Sequence, residues 1–393
     1  MKEKIYVIGA GYVGLSIGLA FSNSYEVVFI DNDLNKLRDI RLGKSPIKEN
    51  DLDLILNKNL KRIITQKNIP DIQDKSLIFI AVPTNYNEVD EKFDTYILDN
   101  ILKELSHKAK KSKIIIKSTI PIGFTEKARK RYSNNNIYFS PEFLREGKSY
   151  FDVTHPDRII ISPSDKYSKY LLEKMRSVTN LNKKNCLSME SNVAEAVKLF
   201  SNSFLAMRVA FFNEVDSFAK LINVDAKNLL DGICLDSRIG MSYNNPSFGF
   251  GGYCLPKDLK QTVKELEKVP SPLINSVIDS NNQRIKFLAK DIKKNYKNKK
   301  IGIYRLTMKF QSDNIRSSST ELLMREITRL GLSVTLYEPL VKKEYFKKNK
   351  KIFLENNLNK FLKNIDVIIS NRKDDLVLNT NLEVYSRDIY KNN

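Results

Sequence analysis

What this sequence lacks narrows its class before any motif is read. It has no tryptophan and no low-complexity tract, and its hydrophobic fraction of 41% and charged fraction of 28% are those of a packed globular chain. No run reaches the roughly 18 apolar residues of a membrane span, because Asn202, Arg208 and Asn213 interrupt the most apolar helical stretch. A soluble protein with no membrane partner is expected. The opening Met1-Lys2-Glu3-Lys4 runs straight into a strand-like segment, without the charged, apolar and small-residue regions of a signal peptide. Cysteine is scarce: Cys186, Cys234 and Cys254 form no CxxC pair, and an odd count in a chain of 393 residues argues against a disulfide framework. A reducing cytoplasm fits, and no metal site is expected.

Acidic residues are in deficit, with 46 against 66 basic ones and a net charge of +20. Such an excess raises the question of a nucleic acid. The lysine runs at 108–113, 293–300 and 347–351 lie among asparagines rather than between aromatic residues, so they offer no base-stacking platform. The reading is a solvated lysine-rich surface that attracts a small anionic substrate, with no nucleic-acid partner.

What is present is an α/β alternation. Strand-like runs begin at Lys4, Glu26, Ser76, Lys113, Ile137 and Arg158, each rich in Ile and Val without polar alternation, as in parallel strands covered on both faces. These predict a doubly wound Rossmann domain over 1–190. From Ser191 to Asn223, Val193, Val197, Phe200, Phe204, Met207, Phe211, Val215, Phe218 and Ile222 recur by threes and fours. They predict one long helix whose stripe is a buried seam, with apolar area to spare for a second subunit and so a homodimer. With the Gly-, Asn- and Pro-rich segment after it and a helix to about Lys290, this makes a central region, 191–292. Beyond the lysine-rich link, IGIYRL, a helix over Ser317 to Leu330, SVTLYEP and DVIIS predict a smaller Rossmann-like domain over 293–393, without a glycine fingerprint.

Two motifs carry chemistry. Gly9-Ala10-Gly11-Tyr12-Val13-Gly14 follows the first strand and opens a helix. In that context the first glycine permits a tight turn, the second lets backbone approach a pyrophosphate, and the third packs helix on strand. The helix N-terminus offers its N–H groups to the phosphates. Asp31 ends the second strand, 22 positions after Gly9, where a carboxylate accepts from ribose hydroxyls and repels a 2′-phosphate, so the expected cofactor is NAD rather than NADP. The second motif is YNNPSFGFGGYCLPKD at Tyr243 to Asp258. Pro256 suits a first helical turn, which puts Cys254 at a helix N-terminus beside Lys257, where a thiolate is favoured, with Asp258 one turn on. A lone cysteine in such a place is otherwise a small buried hydrophobe. Lys198 and Asn202, four apart on the long helix, share a face and suit an oxyanion; a solvated flank is the alternative.

Beyond these motifs the chain resembles the nucleotide-sugar dehydrogenases, the UDP-glucose/GDP-mannose dehydrogenase family, over nearly its whole length. The resemblance is carried by GAGYVGLS at Gly9, AVPT at Ala81, KSTIPIGFT at Lys117, SPEFLREG at Ser140, EAVKLFSNSFLAMRVAFFNE at Glu195, CLDSRIG at Cys234, the block ending CLPKD, YRLTMK at Tyr304 and SDNIRSSS at Ser312. It implies oxidation of the C6 alcohol of a UDP-sugar, with UDP-glucose to UDP-glucuronate favoured over GDP-mannose or a UDP-N-acetylhexosamine. Two NAD molecules would each take a hydride, through a thiohemiacetal and a thioester on Cys254. It further implies that Lys198 and Asn202 stabilise the C6 oxygen, that Asp258 with Thr119 positions water, and that Glu142 shares the acid–base work. Cofactor contacts are implied at Gly9, Gly11, Val13, Gly14, Asp31, Lys36, Thr84, Thr119, Glu146, Lys257 and Arg316. Sugar-nucleotide contacts are implied at Glu142, Phe143, Leu144, Arg145, Glu146, Lys198, Asn202, Tyr243, Asn244, Asn245, Pro246, Ser247, Gly251 and Lys309, with Arg238 supplied by a neighbouring subunit. The only histidines, His107 and His155, fit a mechanism without an imidazole base. A non-catalytic NAD-responsive regulator on the same fold would lack the cysteine or lysine, and both are present.

Overall fold

The structure, a computed structural model, describes residues 4–72, 75–307, 315, 317–341, 346 and 349–391. The chain divides into two compact units, Met1–Ser201 and Asn202–Asn393.

In the first unit the strands are β1 (Lys4–Ile8), β2 (Glu26–Ile30), β3 (Ile63–Gln66), β4 (Leu77–Ile80), β5 (Tyr86–Asn87), β6 (Lys92–Phe93), β7 (Lys113–Ile116), β8 (Ile137–Phe139), β9 (Ile159–Ile161) and β10 (Cys186–Ser188). Six of them form a parallel sheet in the order β3-β2-β1-β4-β7-β8. This is the expected doubly wound fold, with its topological switch between β1 and β4, where such sheets bind ligands at the carboxyl ends. The apolar runs are needed because both faces are covered: Ile78, Phe79, Ile80, Ile114, Ile115 and Ile116 are all fully buried.

The second unit carries β11 (Ile301–Tyr304), β12 (Val334–Tyr337), β13 (Ile352–Leu354), β14 (Val367–Ile369) and β15 (Glu383–Tyr385), all parallel in the order β13-β12-β11-β14-β15. Strands β3, β5, β6, β10, β13 and β15 have no counterpart in the sequence reading. All six end a sheet or a strand pair, where one flank stays wet and a long apolar run is not required. The helix Pro272–Tyr296 runs past Lys290 and seats Leu288, Ile292 and Tyr296 in the core of the second sheet.

The long helix spans Ser191–Leu221, and the expectation of a buried seam needs correction. Val193, Phe200, Phe204, Phe211, Phe218 and Ile222 are exposed in this chain, Phe204 and Phe211 by 52% each. The face turned inward is instead largely small and polar, with Glu195, Lys198, Asn202, Ser203, Ala206, Ala210, Asn213 and Asp216 all buried beside Leu199 and Phe212. The beginning of the helix is fastened to its own unit. Glu195 accepts hydrogen bonds from Gly123 N at 2.5 Å, Thr125 N at 2.9 Å and Thr125 Oγ1 at 2.6 Å, at the start of the helix Phe124–Arg131. Burial pushes its carboxyl above the usual carboxylate range against the pull of those three bonds.

Candidate active site

The glycine turn behaves as its three positions require. Gly9 has φ +97° and a Cβ there would lie 2.5 Å from the Ala81 carbonyl oxygen, while a Cβ on Gly14 would lie 1.8 Å from the Gly9 oxygen. Both are demands of the fold. Gly11 differs: nothing lies within 4 Å of its Cβ position, and it directly precedes the helix Tyr12–Ser22. An open space at a helix N-terminus fits a dinucleotide pyrophosphate, and Val13 lies in the first turn beside it. Asp31, with its side chain 8% exposed, accepts from Ala10 N at 2.8 Å and Asp33 N at 2.9 Å and lies 3.9 Å from Lys36 Nζ. Its oxygens retain acceptor capacity for two ribose hydroxyls. The residues present therefore fit NAD. Thr84 is buried and donates to the Thr119 carbonyl at 2.6 Å, tying the loops after β4 and β7 together.

Around SPEFLREG the unit assembles a second cluster. Glu142 Oε1 accepts from Phe143 N at 2.9 Å and Leu144 N at 3.2 Å, and its backbone carbonyl accepts from Lys198 Nζ at 2.6 Å. Phe143 is flanked by Arg158, 3.9 Å from the ring centroid, and by Lys198 at 5.2 Å. Lys198 is buried, so the solvated-flank alternative does not hold. Arg145 pairs with Asp152 at 2.7 Å, and Glu146 lies one residue on. Lys117 was missed as a site residue. It is buried beside Glu142, with Nζ 3.1 Å from Glu142 Oε2. The available signal was a lysine continuing an isoleucine strand, KIIIK, where a solvated charge has no place.

In the second unit the helix Cys254–Glu265 begins at the cysteine itself, following Gly252 with φ +83°. Cys254 is exposed and in no disulfide. One turn later Asp258 is fully buried and accepts from Lys257 Nζ at 2.7 Å and Asn202 Nδ2 at 2.5 Å. Burial alone would lower the Lys257 pKa, but the charges of Asp258, Cys254 and Tyr253 outweigh it and hold the ammonium above the ordinary lysine range. A thiol and a fixed ammonium thus share the first turn of one helix, at the positive end of its dipole, with a buried carboxylate one turn on.

The glycine-rich segment before Cys254 is held by its backbone. Asn213, Asn371 and Asn281 accept from Ser247 N, Phe248 N and Phe250 N at 2.8, 2.9 and 2.8 Å. Arg284 donates to the Ser247 carbonyl at 3.1 Å and pairs with buried Asp216, which also receives Arg387. Burial would raise the Asp216 carboxyl, yet the two arginines hold it below the usual range. These clasping residues were not legible, because each is a single polar residue far away in sequence. Among the expected substrate contacts, Asn245 bonds Asp388 at 2.7 Å and accepts from Ile389 N at 3.0 Å, Asn244 is buried, and Pro246 and Gly251 lie in the clasped segment. Tyr243 takes φ +57° and is exposed. Arg238 is exposed and pairs with its own Asp236 at 2.6 Å. Lys309 and Arg316 lie outside the described residues. Among the described residues no group of His, Cys, Asp or Glu forms a metal site, and no helix is long and apolar enough to cross a membrane.

Comparison with known proteins accounts for nearly the whole chain. Residues 3–180 match the NAD binding domain of the UDP-glucose/GDP-mannose dehydrogenase family, residues 192–283 its central domain and residues 302–393 its UDP binding domain. The UDP-glucose 6-dehydrogenase of Campylobacter jejuni is 41% identical, across 98% of this chain and 99% of its own length. That of Streptococcus pneumoniae is 36% identical, across 98% and 99%. In fold, the chain resembles the structure of a UDP-glucose dehydrogenase from Pyrobaculum islandicum, with TM-score 0.87, 23% identity, and 100% and 95% of the two chains covered.

Proposed function

This chain belongs to the UDP-glucose/GDP-mannose dehydrogenase family, and from that premise we propose that it oxidises the C6 alcohol of UDP-glucose to the carboxylate of UDP-glucuronate. The observation that carries the covalent mechanism is Cys254 opening its helix beside the Lys257 ammonium, one turn from buried Asp258. The Gly9 turn and Asp31 would hold NAD, which when bound would supply the hydride acceptor. The alcohol loses a hydride from C6 and a proton from its oxygen. The Cys254 thiolate then attacks the aldehyde carbon, and the alkoxide so formed is stabilised by Lys198 and Asn202. Loss of a second hydride from this thiohemiacetal leaves a thioester. Water positioned by Asp258 and Thr119 cleaves the C–S bond, releasing the carboxylate and regenerating the thiol. Glu142 shares the proton transfers. In sum one alcohol and one water become a carboxylate, with two hydrides and three protons leaving. Tethering prevents escape of the aldehyde between the two oxidations.

The proposed organisation has three parts: 1–190 for NAD, 191–292 for the long helix and the cysteine loop, and 293–393 for the UDP moiety. The remaining implied contacts, from Glu142 to Glu146 and from Tyr243 to Ser247 with Gly251, serve the sugar nucleotide in this reading. The exposed phenylalanines of the long helix support a homodimer in which Arg238 reaches the neighbouring subunit's site. The basic surface serves a small anionic nucleotide, and a reducing cytoplasm suits the thiol.

The test is NADH formation with UDP-glucose, UDP-N-acetylglucosamine and GDP-mannose. UDP-glucose is expected to be preferred, with two NADH per sugar. Cys254→Ala is expected to abolish acid formation while retaining UDP-glucose binding, and mixing it with inactive Arg238→Ala protomers should restore activity in mixed dimers. One NADH per sugar with free aldehyde as product, or acid formation by Cys254→Ala, overturns the mechanism. No rescue despite demonstrated subunit exchange overturns the shared site.

A further inference from the structure

Lys117 follows β7 directly, and its backbone N–H is bonded to the Ile80 carbonyl at 2.8 Å, so its Cα is fixed to the sheet. Its side chain is only 4% exposed. An ammonium in such a place is costly to desolvate unless acceptors surround it. The acceptors it meets among the described residues all come from one tripeptide: Ser140 Oγ at 3.2 Å, the Pro141 carbonyl at 3.4 Å and Glu142 Oε2 at 3.1 Å. The opposite carboxylate oxygen of Glu142 takes two backbone N–H groups, and the Glu142 carbonyl takes Lys198. Glu142 is therefore bracketed by two lysines, one at its carboxylate and one at its peptide oxygen.

We propose that Lys117 is a positioning residue for the reaction: it fixes the Glu142 carboxylate and, through the Glu142 peptide, the seat of the Lys198 ammonium. The inference rests on the reading above that Glu142 and Lys198 serve the oxidation. Lys117 itself is directed at the 140–142 stretch and acts only through it. Without the ammonium, Glu142 keeps its two N–H donors on one oxygen and loses the charge-assisted bond that selects the rotamer of the other. A displacement of about 1 Å at a reacting group costs on the order of 100-fold in rate.

The experiment measures kcat and KM on the full chain for Lys117→Met, Lys117→Gln and Lys117→Arg, with Tm recorded for each, and repeats the first two in a Glu142→Gln background. Lys117→Met is expected to lower kcat about 100-fold with KM for UDP-glucose and NAD changed by less than about threefold. Lys117→Gln, which still donates to Ser140 or Pro141 and so keeps the buried site satisfied, decides the matter should the Met variant not fold. It is expected to lower kcat about tenfold or more, and Lys117→Arg to recover part of the loss by restoring the cation. In the Glu142→Gln background the same substitutions should cost clearly less than in the wild type, because the carboxylate being positioned is already gone and only the seat of Lys198 remains. A folded Lys117→Gln with wild-type kcat, or equal losses in both backgrounds, overturns this inference alone. Wild-type kcat in Glu142→Gln overturns the reading of Glu142 and this inference with it.

Discussion

The turns that follow the first strand of each sheet are built alike and differ in what they leave open. In the first unit Gly9 follows β1 with φ +97°, Ala10 N donates to Asp31 just past β2, and Asp31 also takes Asp33 N, two residues on. In the second, Arg305 follows β11 with φ +63°, Leu306 N donates to Glu338 just past β12 at 2.7 Å, and Glu338 also takes Leu340 N at 3.2 Å. An acidic residue at the end of the second strand thus closes the neighbouring turn in both sheets. The first turn enters its helix within three residues, past Gly11 and open space. After the second, the next helix among the described residues is Ser319–Arg329, capped by Ser318, and Glu338 is fully buried against Arg305. The acid alone is therefore a structural device, and in the proposed reading it is the glycine turn with open space at its helix end that adds a nucleotide site.

Substitutions can break or sharpen that comparison, and the largest effect belongs to a buried acid that closes no strand turn. Asp216 is held by Arg284 and Arg387, and Asp216→Asn should destabilise by about 3–5 kcal/mol at pH 7, because a buried and a half-buried cation lose their partner. Its folded pKa is lowered, so the unfolded carboxylate takes up its proton first as pH falls from about 3.9. The stabilisation is thus present above that range and lost as pH drops through the folded value, and urea titrations of wild type and variant should converge there. A difference that stays constant down to pH 3 would refute the charge argument.

Glu338→Ala comes next, at about 1–3 kcal/mol, since two backbone N–H groups lose their acceptor. Its ratio of NAD to NADP use should match wild type, and a shifted ratio would break the comparison. Asp31→Ser should do the reverse, narrowing the preference for NAD about tenfold in kcat/KM, roughly 1.4 kcal/mol, through loss of the charge that repels a 2′-phosphate. Unchanged selectivity would leave Asp31 with the structural task alone.

Much of this was legible in the sequence where one physical requirement dominates a local run. Doubly covered strands need continuous Ile and Val, and a phosphate turn needs glycine at fixed spacing, so the central strands and Gly9 to Gly14 could be read directly. The start of the Cys254 helix was legible from Pro256. The long helix was not, beyond its extent: periodicity divides a helix into faces, and the assumption that the Phe face turns inward failed because the inner face is used for Glu195, Lys198, Asn202 and Asp216. Lys117 and the asparagines that clasp residues 247–250 were invisible for another reason. Each meets its partner across 23 or more positions, and a single polar residue leaves no local pattern.

The fastening of Glu195 to Gly123 and Thr125 bears on where the first unit can be severed. A cut placed ahead of the long helix, at the end of the region matching the family's NAD binding domain, would remove the carboxylate and strand two N–H groups and a hydroxyl at the start of the helix Phe124–Arg131. The six-stranded sheet would keep every strand of its ladder, but the unit would lose β10 and the acceptor that closes one of its helices. The nucleotide-binding module of this chain is therefore longer than its strands suggest, and the residue that closes one of its helices sits on a helix that runs on into the second unit.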